Sequence, residues 1–487
     1  MKPLQRRIFI KKLAAFTAGM LFLPDLLYGN FSNSKYALPS DNPCLPTPPT
    51  PDFGIIDLHC HVSMKMYLLG KKLWKKHHPG TGTNTLRMQV DTDRLKAGYV
   101  KGLLATHYLP EIGVERYSDT LRFFYPFLKV ILPSLTSKLE NDDFSNFDQI
   151  NDIIDLCELQ IRTAVSKGSN IVIARNYKEF ESAISKGEIP FAHAIEGAHA
   201  LGRDLHISKK KFHKHVDHKM ISPSARTGKE QAEKYIQNLK ALKGRGVCLM
   251  SLTHFFVNKL VILPTEGISP DEKNKQHMHF HNSPSDAQPL TPVGEEIVKA
   301  MLDIGMIVDL THSPAPVRES VFRINNARTK PRPIVFTHEG AQHLFDTHNG
   351  KYDDYKYYDI SDDEIMQISL CGGTIGVIPE VYWLTGCDTH LKECNKKDFR
   401  DTVEYMVKTM IYINSKTKDK DFDNISIGSD FDGLADAPRD LNNPSQFGTL
   451  ICEMLKQGIT PAHIKKITNI NALRVLKEGW TEESVSL

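Results

Sequence analysis

Ile55-Ile56-Asp57-Leu58-His59-Cys60-His61 is an apolar run that closes on ligand-type side chains. In an extended strand, residues two apart point to the same side. His59 and His61 are therefore expected to project together, at the spacing two imidazoles need to share one cation. The same pattern returns along the chain: short apolar, β-branched runs at Val100–Tyr108, Pro190–Glu196, Gly246–His254, Gly305–His312, Pro333–His338, Gly372–Pro379 and Asn424–Asp430. Near-continuous apolar strands alternating with amphipathic helices indicate a parallel sheet buried on both faces. Eight such units predict an α/β chain closed into a (β/α)8 TIM-type barrel. A ninth short run, Ile171–Ala174, is placed outside the barrel.

The intervening helices are expected at Asp148–Ser166, Glu230–Lys243, Pro292–Leu302, Ser361–Leu370, Asp398–Asn414 and Pro461–Leu476. Thr291-Pro292 and Thr460-Pro461 each supply an N-cap followed by Pro at the first helical position, where the missing N–H costs nothing. Glu295 stands close to the capping-box position.

The position of the polar residues decides the chemistry. His59, His61, Glu196, His254, His312, His338 and Asp430 all fall at the C-terminal ends of expected strands, the face on which barrel enzymes carry their sites. Glu196 has two oxygens and can bridge two divalent ions about 3.5–4 Å apart, with His59 and His61 on one and His312 and His338 on the other. Imidazole and carboxylate ligands suit zinc, with manganese or iron(II) as alternatives. Asp430 is placed to take a proton from the hydroxide-forming water and pass it to a leaving nitrogen. His254 is placed to polarise a substrate carbonyl or hold an oxyanion. Asp57 is expected to orient a ligand imidazole. Asp432 reads as a turn residue, and His193 and His199 as supporting or packing residues.

Bulk properties exclude several classes. With 487 residues, 40% hydrophobic and 24% charged, the chain can build a large core, and a formal charge of +3 gives no basic field for nucleic acid. The cysteines at 44, 60, 157, 248, 371, 387, 394 and 452 form neither a knuckle nor a disulfide framework, and most read as buried free thiols, with Cys387–Cys394 as one conceivable pair. Gln276–His281, rich in His, and the Lys209–Lys214 stretch read as solvated surface.

At the N-terminus, Arg6-Arg7-Ile8-Phe9-Ile10-Lys11 precedes a short apolar run, Leu13–Leu23. Residues 1–29 thus look like a twin-arginine export signal, which predicts a periplasmic protein, membrane-tethered only if that segment is retained. Residues 30–52, with Pro46-Thr47-Pro48-Pro49, read as a linker, and 53–487 as the barrel domain.

An ordered set of motifs then resembles the membrane (renal) dipeptidase family of the amidohydrolase superfamily, from about Phe53 to about Glu478. It comprises Glu196-Gly197-Ala198-His199-Ala200-Leu201, Ser251-Leu252-Thr253-His254, Leu290-Thr291-Pro292-Val293-Gly294, Val308-Asp309-Leu310-Thr311-His312, Val335-Phe336-Thr337-His338 and Gly428-Ser429-Asp430-Phe431-Asp432-Gly433, with Asn471 and Arg474 in the tail. The resemblance implies His59 as a ligand of a first metal, Glu196 as bridging ligand, and His312 and His338 on a second. It implies a substrate contact at His254 and a catalytic acid/base at Asp430.

Two positions depart from the family. Its opening is His-x-Asp, whereas this chain has His59-x-His61, one negative charge fewer. Eleven residues past His338, where the family places an Arg that clamps the substrate carboxylate, stands Asn349. An amide does not reproduce a bidentate guanidinium clamp; Lys351 and His348 are nearby substitutes. The expectation is therefore a metallo-dipeptidase working through a metal-bridged hydroxide. An amidohydrolase acting on another small amide, an N-acyl amino acid or a lactone is the alternative, and a non-catalytic, metal-stabilised binding protein is the reading from a different class. The expected partner is a small-molecule or dipeptide substrate, and a homodimer is left open.

Overall fold

The computed structural model describes residues 54–77, 88–109, 146–202, 228–254, 289–341, 359–380, 383–384, 403–434, 438 and 440–482. These belong to one compact unit, Cys44–Leu487. The expected export signal and linker, Asn349, His348, Lys351, the His277–His281 tract, the Lys209–Lys214 stretch and Cys44, Cys387 and Cys394 lie outside the described residues.

Among the described residues nine parallel strands form: β1 (Ile55–Cys60), β2 (Val100–Tyr108), β3 (Ile171–Ala174), β4 (Ile189–Glu196), β5 (Val247–Ser251), β6 (Ile307–Asp309), β7 (Ile334–Glu339), β8 (Thr374–Val377) and β9 (Ile425–Ile427). The order runs β2-β1-β9-β8-β7-β6-β5-β4, and a further pairing of β2 with β4 closes the ring. Leu103 to Tyr108 pairs with Phe191 to Glu196 along that seam. The eight-strand barrel expected from the sequence is therefore present. The ninth strand, β3, stands outside the ring, paired with Ile189–Ala192 at the start of β4. Leu103, Phe191, Val247, Val308, Phe336 and Ile375 are all buried, as a sheet covered on both faces requires.

The helices follow their caps. Thr291 accepts from Gly294 N at 3.0 Å at the start of Pro292–Asp303, and Ser361 with Glu364 forms a reciprocal capping box on Asp362–Leu370. The last helix runs from Pro461 to Gly479 with one π turn at Lys466–Ile470. Asn471 Nδ2 donates to the carbonyls of Phe422 and Ile425 at 2.6 and 2.7 Å, and Arg474 donates to those of Gly372, Gly373 and Asp423. Each acceptor precedes or opens β8 or β9. The tail helix thus caps the barrel's N-terminal end and leaves the C-terminal end for chemistry. Among the described residues, no helix is long and apolar enough to cross a membrane.

A buried polar chain ties β2 and β4 to the outer helix Asn146–Ser166. Ser63 Oγ lies 2.9 Å from His107 Nδ1, His107 Nε2 lies 2.8 Å from His193 Nδ1, and His193 Nε2 lies 3.4 Å from Glu158 Oε1. Each ring can pass one N–H onward to the next acceptor, ending on a carboxylate that also meets Arg175 at 2.9 Å. His193 and its neighbours Arg175 and Arg245 hold the Glu158 carboxyl down, to about 2. A carboxyl depressed on folding contributes stability above its unfolded pKa and loses it as the pH falls toward the folded value. Glu158→Gln is therefore expected to unfold at a lower temperature than wild type at neutral pH. The gap should narrow from about pH 5 downward, the range in which an unfolded Glu titrates. Thermal melts across pH 7 to 3 test this, and a gap that does not change with pH contradicts it.

Candidate active site

Seven side chains converge at the C-terminal end of the ring. His59 lies in β1 and His61 one residue beyond it. Glu196 ends β4, and His338 lies at the end of β7. His254, His312 and Asp430 sit just past β5, β6 and β9, in turns where the sequence reading had extended the strands. His312 and Asp430 take positive φ, 63° and 50°. Backbone irregularity helps at the other strands: the pairing of β7 with β8 shifts register between Phe336 and Glu339, and β1 with β2 between Asp57 and Cys60. Such shifts re-aim side chains that strict alternation would send elsewhere.

Glu196 is the hub. His59, His312 and His338 bring Nε2 to 3.5, 3.3 and 3.6 Å from its Oε1. His61 and His254 bring Nε2 to 3.1 and 3.5 Å from its Oε2. His59 and His61 Nε2 stand 3.1 Å apart, as do His312 and His338 Nε2 at 3.0 Å. Asp430 Oδ1 lies 3.2 Å from His61 Nε2 and 3.8 Å from His59 Nε2. Three overlapping ligand groups result: His59/Glu196/His338, His59/His61/Asp430 and Glu196/His254/His312.

These residues fit divalent cations. Ligand atoms about 2.0–2.1 Å from one tetrahedral ion sit roughly 3.3 Å from each other, which matches the spacings above. Glu196 is 1% exposed, yet among the described residues neither of its carboxylate oxygens, nor Asp430 Oδ1, receives a well-aligned hydrogen bond. A buried carboxylate in that state demands positive charge beside it. Burial opposes ionisation of Glu196, but His254, His61 and His59 hold its carboxyl well below the usual range. Burial also disfavours protonation of His61; Glu196 and Asp430 outweigh it and carry the imidazole up to about 10. His59 and His338 are pushed well below the usual histidine range by burial, so both present neutral lone pairs. Burial raises Asp430 above the usual carboxylate range, against the pull of His61.

Supporting residues depart from expectation in two places. Asp57 does not hold a ligand ring: its carboxylate accepts from the backbone N of His59 and Ser429 and from Ser429 Oγ, clamping the end of β9 to β1. The ring-orienting contact belongs to Thr337, whose Oγ lies 2.8 Å from His59 Nδ1 and 3.2 Å from His338 Nδ1. Asp432 is a turn residue, φ 71°, but also a buried anchor. It pairs with Lys65 at 3.1 Å and accepts from the backbone N of Gln89 and Val90 at 2.6 and 3.3 Å. His193 and His199 support, as expected, through His107 and through the carbonyl of Leu109.

Two aromatic walls carried no signal beyond their position at or after a strand. Tyr108 lies 4.4 Å, ring to ring, from His254, and Trp383 lies 5.5 Å from His312.

A parallel barrel with a bridging-type carboxylate among imidazoles at its C-terminal mouth defines a metal-dependent hydrolase architecture. The family model for membrane dipeptidase (peptidase family M19) matches residues 208–485. The chain belongs to that family, whose metallopeptidases use divalent metal. It is 27% identical over 207 residues to dipeptidase tcpJ of Claviceps purpurea, 42% of each chain, and 28% identical over 204 residues to dipeptidase aclJ of Aspergillus oryzae, 41% of this chain and 42% of that one. The match spans less than half the length of these relatives. A Rhodobacter sphaeroides metallo peptidase, solved with a phosphinate mimic of the dipeptide L-Ala-D-Ala, superposes with TM-score 0.59 at 16% identity, covering 88% of this chain and 99% of that one. The probable dipeptidase PvdM of Pseudomonas aeruginosa superposes with TM-score 0.58, also at 16% identity, over 88% of this chain and 96% of that one. These two likenesses establish the fold.

Besides meeting Lys65, Asp432 is the buried acceptor of two backbone N–H groups, and a buried donor that loses its acceptor costs about 1–3 kcal/mol. Asp432→Ala should therefore strongly destabilise the protein in urea titrations, whereas Asp432→Asn, which keeps an oxygen for those N–H groups, should recover part of the loss. An Asp432→Asn protein no more stable than Asp432→Ala would show that the two backbone contacts carry none of it.

Proposed function

We propose that the protein is an exported dipeptidase that holds two divalent cations, zinc by the chemistry of its ligands. The observation that carries this reading is Glu196, a buried carboxylate with five imidazole Nε2 atoms within 3.6 Å of its two oxygens. His59 and His61 would hold the first cation, His312 and His338 the second, and Glu196 both. Bound there, divalent cations supply Lewis acidity to a scissile carbonyl and acidity to a water molecule.

The remaining work falls to side chains of this chain. Asp430 Oδ1, raised by burial and aimed at the cluster, takes the proton from the attacking water and returns it to the departing amide nitrogen, so the proton count closes within one turnover. His254 Nε2, facing the same cluster from the wall it shares with Tyr108, contacts the carbonyl oxygen as it gains charge. His61, in place of the family's Asp, leaves the site one negative charge poorer. Glu196 and Asp430 then have to neutralise the first cation largely by themselves.

The names of the relatives support a dipeptide substrate, as does the Rhodobacter sphaeroides peptidase, whose bound inhibitor mimics a dipeptide. Asn349 favours a second reading. Without a guanidinium at that position, a substrate that lacks a free carboxylate, such as a small amide or a lactone, becomes equally acceptable. The twin-arginine-like start, Arg6-Arg7-Ile8-Phe9, supports export to the periplasm, a route that suits a site filled before translocation.

The test is a panel of dipeptides, N-acyl amino acids and lactones scored for hydrolysis, with elemental analysis of the purified protein. Wild type is expected to release free amino acids from dipeptides and to carry two metal equivalents. Asp430→Asn, assayed in excess zinc so that it carries the same metal content as wild type, should lose about 100-fold or more in kcat, the range a positioned acid/base contributes. Equal turnover in the two proteins would end this mechanism.

A further inference from the structure

We propose that Thr337 is a shared positioning residue: its single hydroxyl sets the tautomer of both His59 and His338 and so prepares one ligand for each of the two cations at once. The inference rests on the two-cation reading above and deepens it.

The argument is one of proton counting. Asp309, at the end of β6, accepts the backbone N–H groups of Thr311 and Thr337 on Oδ1, both at 3.0 Å. Its Oδ2 lies 2.6 Å from Thr337 Oγ. Burial pushes this carboxyl up, but three donors converge on it and favour its ionised form, which only accepts, so the one hydroxyl proton of Thr337 is committed to Asp309. Thr337 Oγ keeps two lone pairs. His59 Nδ1 stands 2.8 Å from it and His338 Nδ1 3.2 Å. Neither contact can form unless the imidazole brings the proton, so both rings carry Nδ1–H. Both Nε2 atoms are then bare lone pairs, and these are the atoms that face Glu196. All four residues are buried, so water offers no competing partner.

The local backbone makes the arrangement attainable. Thr337 and His338 are consecutive, and in a regular strand they would face opposite sides. The register shift between Phe336 and Glu339 lets both turn toward the centre. Thr337 is also held by its own backbone, through Asp309 and through Thr311 Oγ at 2.9 Å, so its hydroxyl is placed independently of any ligand. A hydrogen bond to the far nitrogen of a ligand imidazole is known to fix ring orientation and tautomer. Here one hydroxyl does so for two rings drawn from β1 and β7.

Three variants test the assignment in the full chain. Thr337→Val keeps the shape and removes the hydroxyl. Thr337→Ser restores it. Asp309→Asn keeps an oxygen for the two backbone N–H groups and turns an N–H donor toward Thr337, so the hydroxyl proton must point at a ring, the nearer being His59.

Two readouts apply. Zinc affinity is measured on metal-free protein against a chromophoric chelator. Histidine tautomers are read from imidazole 15N shifts of the same metal-free protein. In Thr337→Val both zinc equivalents should weaken together, by about 10–100-fold, the effect of losing such a supporting contact. Thr337→Ser should bind as wild type does, and Asp309→Asn should lose one equivalent and retain the other. The 15N shifts should show His59 and His338 protonated at Nδ1 in wild type and mixed in Thr337→Val. Unchanged affinity in Thr337→Val, or loss confined to one equivalent, would overturn the proposal. Should Thr337→Val fail to fold, an Asp309→Asn protein that binds both equivalents like wild type overturns it as well. Wild type taking up a single zinc would instead refute the two-cation reading, while the 15N shifts still decide the tautomers.

Discussion

The structure turns on a buried carboxylate ringed by imidazoles. Glu196 is buried at the mouth of the barrel, and leaving an ionised group there uncompensated costs several kcal/mol even after relaxation. The fold meets that demand by bringing imidazoles from β1, β5, β6 and β7 to within 3.6 Å of its two oxygens. None of those strands could place its histidine there alone. Closure of the ring through β2 and β4 is what turns five distant residues into one shell. The tail helix, sealing the opposite end through Asn471 and Arg474, confines that shell to a single mouth.

Much of this was legible in the sequence, because the information is local. A run such as Ile334-Val335-Phe336-Thr337-His338 declares both the strand and the ligand that closes it, and eight such runs declare the barrel. Roles defined by contacts between runs were not legible. Asp57 and Asp309 are both acidic residues shortly before a ligand histidine. From sequence, Asp57 was assigned the orienting part, yet it clamps Ser429, and Asp309 reaches the rings through Thr337. Nothing in a lone strand threonine distinguishes a packing residue from one that meets two imidazoles. Asp432 was half-read for the same reason. Its turn conformation is local, whereas its pairing with Lys65 is not.

Sequence kinship and geometry cover different halves of the site. The family match begins at residue 208, so it includes His254, His312, His338 and Asp430 but not His59, His61 or Glu196. The N-terminal half joins the site through the fold: β1 and β4 stand in the ring at the same end as the others, and their polar atoms fall 3.2–3.8 Å from partners in the matched half. The departure at His61 sits in this half.

Backbone conformation explains how short strands can carry so wide a site. β6 and β9 are three residues each; His312 and Asp430 lie past their ends, Asp430 just before the Phe431–Cys60 bridge. A side chain there has no pleat to aim it. His312 and Asp430 instead occupy the left-handed region at φ 63° and 50°, which a non-glycine residue enters only at a cost of order 1–3 kcal/mol. Asp432 follows at 71°. The surroundings hold these conformations: the N–H of Asp430 is taken by the carbonyl of His59, and that of Asp432 by the side chain of Gln89. Glycine in place of His312 or Asp430 would remove the strain and the chemistry together. The strain is thus a property of the site, sustained by the same contacts that join β9 to β1, and it fixes the direction in which Asp430 can reach.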